Sequence, residues 1–379
     1  MRFLHLSDLH LGKRVCEFSM LEDQRYILEQ ILALLDETPV DGVLLAGDLY
    51  DKPVPPAEAV RLLDWFLTQL AARSVHVCMI SGNHDSPERL QFGSDLLQKN
   101  QIHIAGTFSG KMETVSLSDA YGTMTISMLP YVKLAQLSVQ FPEQSFATLD
   151  DGIRAVLEQT PPDPNHRNLL LYHGFVLHNG AAPEESDSET QLGGLQLVSD
   201  TLFDAYDYVA LGHIHKPQWV RRDRIRYSGS LMKYSFSECL QQKSVTLLKW
   251  NEKDNCTITT IPLHPKQEMR ILRGTLEQLL EHATPSEDFI RAELTDLELI
   301  PNAIEKLRVV YPNTLELSYV ERERLRQPAA ATEAVHVEEQ SLLDLVTEFY
   351  ENVYHYPLRE HPEEMALMTE LVEEEQESE

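Results

Sequence analysis

The sequence has few cysteines, little positive charge and no long apolar run. Four cysteines, Cys16, Cys78, Cys239 and Cys256, are spread over 379 residues. None pairs as C-x-x-C, so neither a disulfide framework nor a paired-thiolate metal site is expected. A reduced, cytoplasmic setting follows as the expectation. No apolar stretch approaches the roughly 20 residues of a membrane-spanning helix, and MRFLHLSDLHLG at the amino end lacks the layout of a signal peptide. A G-x-x-x-x-G-K-[ST] phosphate loop is also missing, so any ATP dependence must come from another chain. Lys and Arg number 32 against 60 Asp and Glu, a net charge of -28. Such a chain is poorly suited to hold nucleic acid by its own charge. The acid is concentrated: from Glu321 to Glu379 there are 17 Asp and Glu, 4 Arg and no Lys.

What is present is an alternation of strand-like and helix-like segments over residues 1–262. RFLHLSD reads as a strand, MLEDQRYILEQILALLDE as a helix with apolar residues three and four apart, and VDGVLLAGD as a buried strand. PPAEAVRLLDWFLTQLAAR reads as a helix with Pro near its start, and VHVCMISGN as a third strand. This βαβαβ order predicts parallel strands with crossover helices. Further strands are expected in TMTISMLPY, NLLLYHG, YDYVALGHIH, RIRYSGS and SVTLLKW. A long polar loop, residues 179–194, is expected to be mobile. Residues 263–326 repeat a smaller α/β pattern and are expected to form a separate capping domain. Residues 327–340 read as a linker, and 341–379 as amphipathic helices with an acidic tail.

Metal-capable side chains recur where the apolar strands end. LHLSDLHLG carries Asp8 and His10; LLAGDLYD carries Asp48 and Asp51; SGNHD carries Asn83, His84 and Asp85. LLLYHG ends in His173, and VALGHIHKP supplies His213 and His215. In open α/β sheets ligands bind at the carboxyl ends of strands, so the five ends are aimed at one place. Imidazole with carboxylate and no thiolate suits Mn, Fe or Zn; an all-oxygen set would suit Mg or Ca better. The candidates are too many for one ion, and two ions bridged by a carboxylate would use them. His5, His76, His103, His166, His178, His264, His282, His336, His355 and His361 have no such context and are expected to be surface or structural residues.

The ordered set DxH, GDxxD, GNHD, a single His after a strand, then GHxH resembles the calcineurin-like metallophosphoesterase family. The resemblance implies a β-sandwich flanked by helices. It implies one manganese on Asp8, His10, Asp48 and His215, and a second on Asp48, Asn83, His173 and His213, with magnesium as the alternative ion. It implies that His84 faces the scissile phosphate and protonates the leaving oxygen, and that Asp51 orients His84 and raises its pKa. Asp85 is expected to brace the loop. Within the family the features of the whole chain are most similar to the DNA-repair nucleases, which implies DNA as substrate, an SMC-like coiled-coil ATPase as partner, and a homodimer within a heterotetramer. The carboxyl-terminal segment would then dock on the partner or pack on its own chain. RRDRIR, with Lys216 and Lys233, is the one obvious basic cluster for a phosphate backbone. Two rivals stand beside this reading: a phosphodiesterase of small nucleotides or lipids, and a metal-free scaffold.

Overall fold

The computed structural model describes residues 1–189 and 196–326, with His361, Met365, Leu367 and Thr369. The expected linker at 327–340 and nearly all of the expected helices and tail at 341–379 lie outside the described residues. Met1–Arg322 form one compact unit, and the division expected at residue 262 falls inside it.

Two six-stranded sheets stack face to face. The first runs in the order Cys256–Pro262, Ser244–Trp250, Arg2–Leu6, Gly42–Ala46, His76–Ile80, Ile102–Ala105. The last four are mutually parallel, as the βαβαβ reading requires. The second sheet runs Gln218–Trp219, Ile225–Tyr227, Tyr208–Gly212, Arg167–His173, Gly122–Leu129, Glu113–Asp119.

Side chains alternate across each strand and so build two different layers. Phe3, Leu44, Cys78 and Ile80 face inward and meet Met124, Ile126, Leu169, Leu171 and Tyr208 of the other sheet. Their neighbours Leu4, Val43, Leu45, Val77 and Met79 face outward, beneath the helices Leu21–Glu37 and Ala57–Ala72. Helix Leu149–Gln159 covers the second sheet through Ile153 and Val156. Each fully buried Leu, Ile or Phe of these layers contributes about 1.5–3 kcal/mol.

The smaller α/β unit has the predicted element order. Its parallel strands Met269–Gly274, Phe289–Leu294 and Thr314–Tyr319 have a core of their own. Met269 and Phe289, however, join the core of the first sheet and its helices. That shared apolar contact is why the unit belongs to the larger body.

Candidate metal centre

Every expected ligand lies where a strand of the sandwich ends. Asp8 and His10 follow Arg2–Leu6, and Asp48 follows Gly42–Ala46. Asn83 and His84 follow His76–Ile80, His173 closes Arg167–His173, and His213 and His215 follow Tyr208–Gly212. The parallel register puts these ends side by side. Asp8, His10, Asp48 and His213 all have positive φ, at 52°, 43°, 51° and 107°. Non-glycine residues adopt that region at a cost of about 1–3 kcal/mol each, and do so chiefly where a site demands it.

The donor atoms form three overlapping groups: Asp8, His10 and His215; His10, Asp48 and His84; Asp48, His173 and His213. Within each group they lie within 4.8 Å of one another. Asp48 Oδ2 is 3.7 Å from His10 Nε2 and 3.4 Å from His173 Nε2, so this carboxylate stands between the two sides. On one side His10 Nε2 and His215 Nε2 are 3.0 Å apart. On the other, His173 Nε2 and His213 Nδ1 come within 2.9 and 3.0 Å of Asn83 Oδ1. Gly47 and Gly82 permit this approach: a Cβ on Gly47 would fall 2.3 Å from His173 Nδ1, and one on Gly82 2.1 Å from Asp48 Oδ1.

The donors suit a hard or borderline divalent cation. Asp8 Oδ2 is buried without a hydrogen-bond partner, a costly condition that a cation would relieve. Burial pushes the Asp8 carboxyl up to about 8. Burial likewise holds His10 and His215 below the ordinary imidazole range, and takes His213 down to about 3. Neutral imidazoles are what a metal requires. His173 differs: burial lowers its pKa, but the Asp48 carboxylate outweighs burial and lifts it to about 9. For Asp48 burial acts upward and His173 downward, and the net is well below the carboxylate range. His173 Nδ1 donates to the Ala46 carbonyl at 2.8 Å, which turns Nε2 into the site.

His84 lies beside this centre. Its main-chain N–H donates to Asp48 Oδ1 at 2.8 Å, and its Nδ1 donates to the carbonyl of Asp51 at 2.9 Å. The Asp51 carboxylate is elsewhere, 2.9 Å from Lys13 Nζ and 3.7 Å from His10 Nδ1. Asp85 braces the loop, accepting from the main-chain N–H groups of Leu49, Tyr50 and Gly82.

The other histidines divide. Buried His5 bonds Tyr208 and the Leu211 carbonyl, and His76 stacks on His103. His178 pairs with buried Asp200 at 3.2 Å. The basic cluster is engaged internally. Arg221 pairs with Asp200 and Asp204, and Arg222 donates to the Tyr206 carbonyl. Lys216 pairs with Glu184, and Lys233 with Glu268. In the described part of the polar loop, residues 179–189, Ser188 and Glu189 contact His215, a role the sequence reading missed. Glu238, Lys243 and Tyr234 were missed too; the Tyr234 ring meets those of both His10 and His215 in T-shaped contacts.

Residues 1–217 match the family model of the calcineurin-like phosphoesterases. Residues 265–354 match a model described as the type 5 capsule protein repressor C-terminal domain. Among curated proteins the chain is similar to the SbcD subunit of nuclease SbcCD from Staphylococcus epidermidis, at 29% identity over 357 residues and 93% of each chain. A solved structure, that of TT1561 from Thermus thermophilus, is matched at 14% identity and a TM-score of 0.40, over 68% of this chain and 98% of that one.

Proposed function

The chain belongs to the calcineurin-like phosphoesterase family, and from that membership we propose that it is a metal-dependent DNA nuclease, the SbcD-type subunit of an SbcCD-like complex. The observation that carries the reading is the convergence of Asp8, His10, Asp48, Asn83, His173, His213 and His215 on one place, with the Asp48 carboxylate between His10 and His173. Similarity to a nuclease subunit across 93% of the chain supports DNA as the substrate.

The site residues take these roles. Asp8, His10, Asp48 and His215 would hold one divalent cation, and Asp48, Asn83, His173 and His213 the other; manganese is the proposed ion and magnesium the alternative. When bound, such a pair supplies Lewis-acid charge for the phosphoryl oxygens and a nucleophile at neutral pH. His84 moves the proton. The Asp51 carbonyl can only accept, so Nδ1 keeps its hydrogen. Nε2 is then the nitrogen that loads a proton and gives it to the leaving oxygen. Asp51 acts as a positioning residue, through its main chain. Imidazolium charge at His84 also stabilises the developing negative charge on the phosphate.

The reaction is hydrolysis of phosphodiester bonds, as single-strand endonuclease and as 3'-5' exonuclease at double-strand ends. An acidic chain whose Arg221, Arg222, Lys216 and Lys233 are engaged internally grips DNA weakly by itself. An SbcC-type ATPase would supply that grip and the ATP dependence, with two copies of this chain in a heterotetramer. Exposed Val60 and Phe92, which line one apolar cavity with Leu63, Leu67 and Leu90, offer a face for the second copy. A cytoplasmic location is proposed; among the described residues no helix is long and apolar enough to cross a membrane.

The test is cleavage of labelled single-stranded DNA with Mn²⁺ or Mg²⁺, comparing wild type with His84→Ala. Mn²⁺-dependent cutting that the variant loses at unchanged metal content is the expected result. Turnover of bis-p-nitrophenyl phosphate without DNA cutting, even with the ATPase added, would instead favour a small-molecule phosphodiesterase.

A further inference from the structure

His215 is gripped at both ends by a closed ring of three hydrogen bonds and one ion pair. Its carbonyl accepts from Lys243 Nζ at 2.9 Å. Lys243, 4% exposed, pairs at 2.6 Å with the fully buried Glu238. Glu238 Oε1 accepts from Ser188 Oγ at 2.5 Å. Ser188 Oγ in turn lies 2.6 Å from His215 Nδ1, which closes the ring.

The proton positions in this ring follow from its chemistry. Glu238, ionised beside Lys243, can only accept. Ser188 Oγ also lies 3.0 Å from Ser186 Oγ, but Glu238 at 2.5 Å is the nearer acceptor and takes the single hydroxyl hydrogen of Ser188. The Ser188 oxygen must then accept from His215, so Nδ1 carries the hydrogen. That leaves Nε2 with its lone pair directed at His10 and Asp8. A buried ion pair adds little net stability over an apolar pair of the same volume, so stability alone gives Glu238 and Lys243 no reason to be charged here. Holding a ligand's tautomer and its main chain does. The neighbouring residue adds a second grip: Glu189 accepts from the His215 main-chain N–H at 2.5 Å and from Ser186 N–H at 2.8 Å.

We propose that Ser188, Glu238 and Lys243 are a positioning relay that locks His215 in its metal-ligating tautomer. The described end of the polar loop, residues 184–189, is thus part of the centre's working structure. The inference rests on the two-cation reading above, and it goes further by assigning one of the two ions its own supporting network.

Mn²⁺ binding to the full chain, followed by electron paramagnetic resonance and calorimetric titration, tests it. Wild type should bind two ions. Ser188→Ala should weaken one of them by about 10- to 100-fold and leave the other at wild-type affinity. Melting of the metal-free variant should be unchanged, and Ser188→Thr, which keeps the hydroxyl, should restore the weakened ion. Two wild-type affinities in Ser188→Ala would overturn the relay. So would equal loss of both ions together with a lowered melting temperature, which would mean a role in folding only. A wild-type chain that binds no cation would overturn the two-cation reading and the relay with it, a result seen before any variant is made. Glu238→Gln gives an independent check: its amide can donate to Ser188, which frees the hydroxyl to donate to His215. It should weaken the same single ion.

Discussion

Asp51 meets His84 through its main chain: the carbonyl oxygen accepts the Nδ1 hydrogen at 2.9 Å, while the carboxylate pairs with Lys13 at 2.9 Å. A side-chain substitution cannot remove a carbonyl. Asp51→Asn should therefore lower cleavage of labelled single-stranded DNA, whose leaving alkoxide needs a proton, by less than about tenfold. His84→Ala, which removes the proton donor itself, should cost about 10²- to 10⁴-fold. Equal losses in the two variants would show that the carboxylate is the working group.

Asp48 stands between the two donor sets, 3.7 Å from His10 and 3.4 Å from His173. Asn83 serves only the side of His173 and His213. On the proposed two-cation reading, Asp48→Ala should thus reduce the Mn²⁺ retained from two ions toward none, and Asn83→Ala from two to one. Metal content after dialysis against a fixed low Mn²⁺ concentration, measured by mass spectrometry, separates these outcomes.

Gly82 is required by space. A Cβ there would lie 2.1 Å from Asp48 Oδ1 and 2.4 Å from the Asp48 main-chain nitrogen. Gly82→Ala should destabilise the fold by about 1–3 kcal/mol and impair metal binding as well. Gly93, with φ of 77° and nothing within 4 Å of an added Cβ, is the contrast. Gly93→Ala should cost about 1 kcal/mol of backbone strain and leave metal binding intact. Urea unfolding paired with Mn²⁺ titration reads both.

The Asp119–Arg167 pair sets an acid limit. Arg167 is 2% exposed and meets Asp119 at 2.6 Å. Partial burial acts to raise the Asp119 pKa, but hydrogen bonds from Arg167 and neighbouring groups outweigh it and hold the carboxyl below its ordinary value. A depressed carboxylate contributes stability above its unfolded pKa of about 3.9 and loses that contribution as pH falls through the folded value. The melting temperature of wild type should therefore fall more steeply below about pH 4 than that of Asp119→Asn, which should be less stable at pH 7. Parallel curves for the two chains would remove this pair from the acid limit.

The candidate donors were legible because each follows on an apolar strand, and both the strand and its polar end show in one short window. The structure brings Asp8, Asp48, Asn83, His173 and His213 together at those strand ends. The contact of Asp51 with His84 was only half legible, since a motif displays side chains and the contact is made by the Asp51 carbonyl. Ser188, Glu238 and Lys243 were not legible. Their order around His215 arises from loops meeting in space, and no periodicity marks a hydrogen bond between residues 50 apart. The strand Glu113–Asp119 also escaped notice: ETVSLSD has too few apolar residues to stand out beside the buried strands, because it lies at the edge of its sheet.

His10 and His215 lie 205 residues apart in the chain and 3.0 Å apart in the fold. On a ribosome adding about 5–20 residues per second, His10 emerges about 10–40 s before its partner exists. During that interval the amino-terminal donors can hold only part of a coordination shell. Full cation affinity must therefore appear late and abruptly, when both sheets have closed. Divalent-cation uptake would then serve as a timer of biosynthesis, reporting when the sandwich is finished.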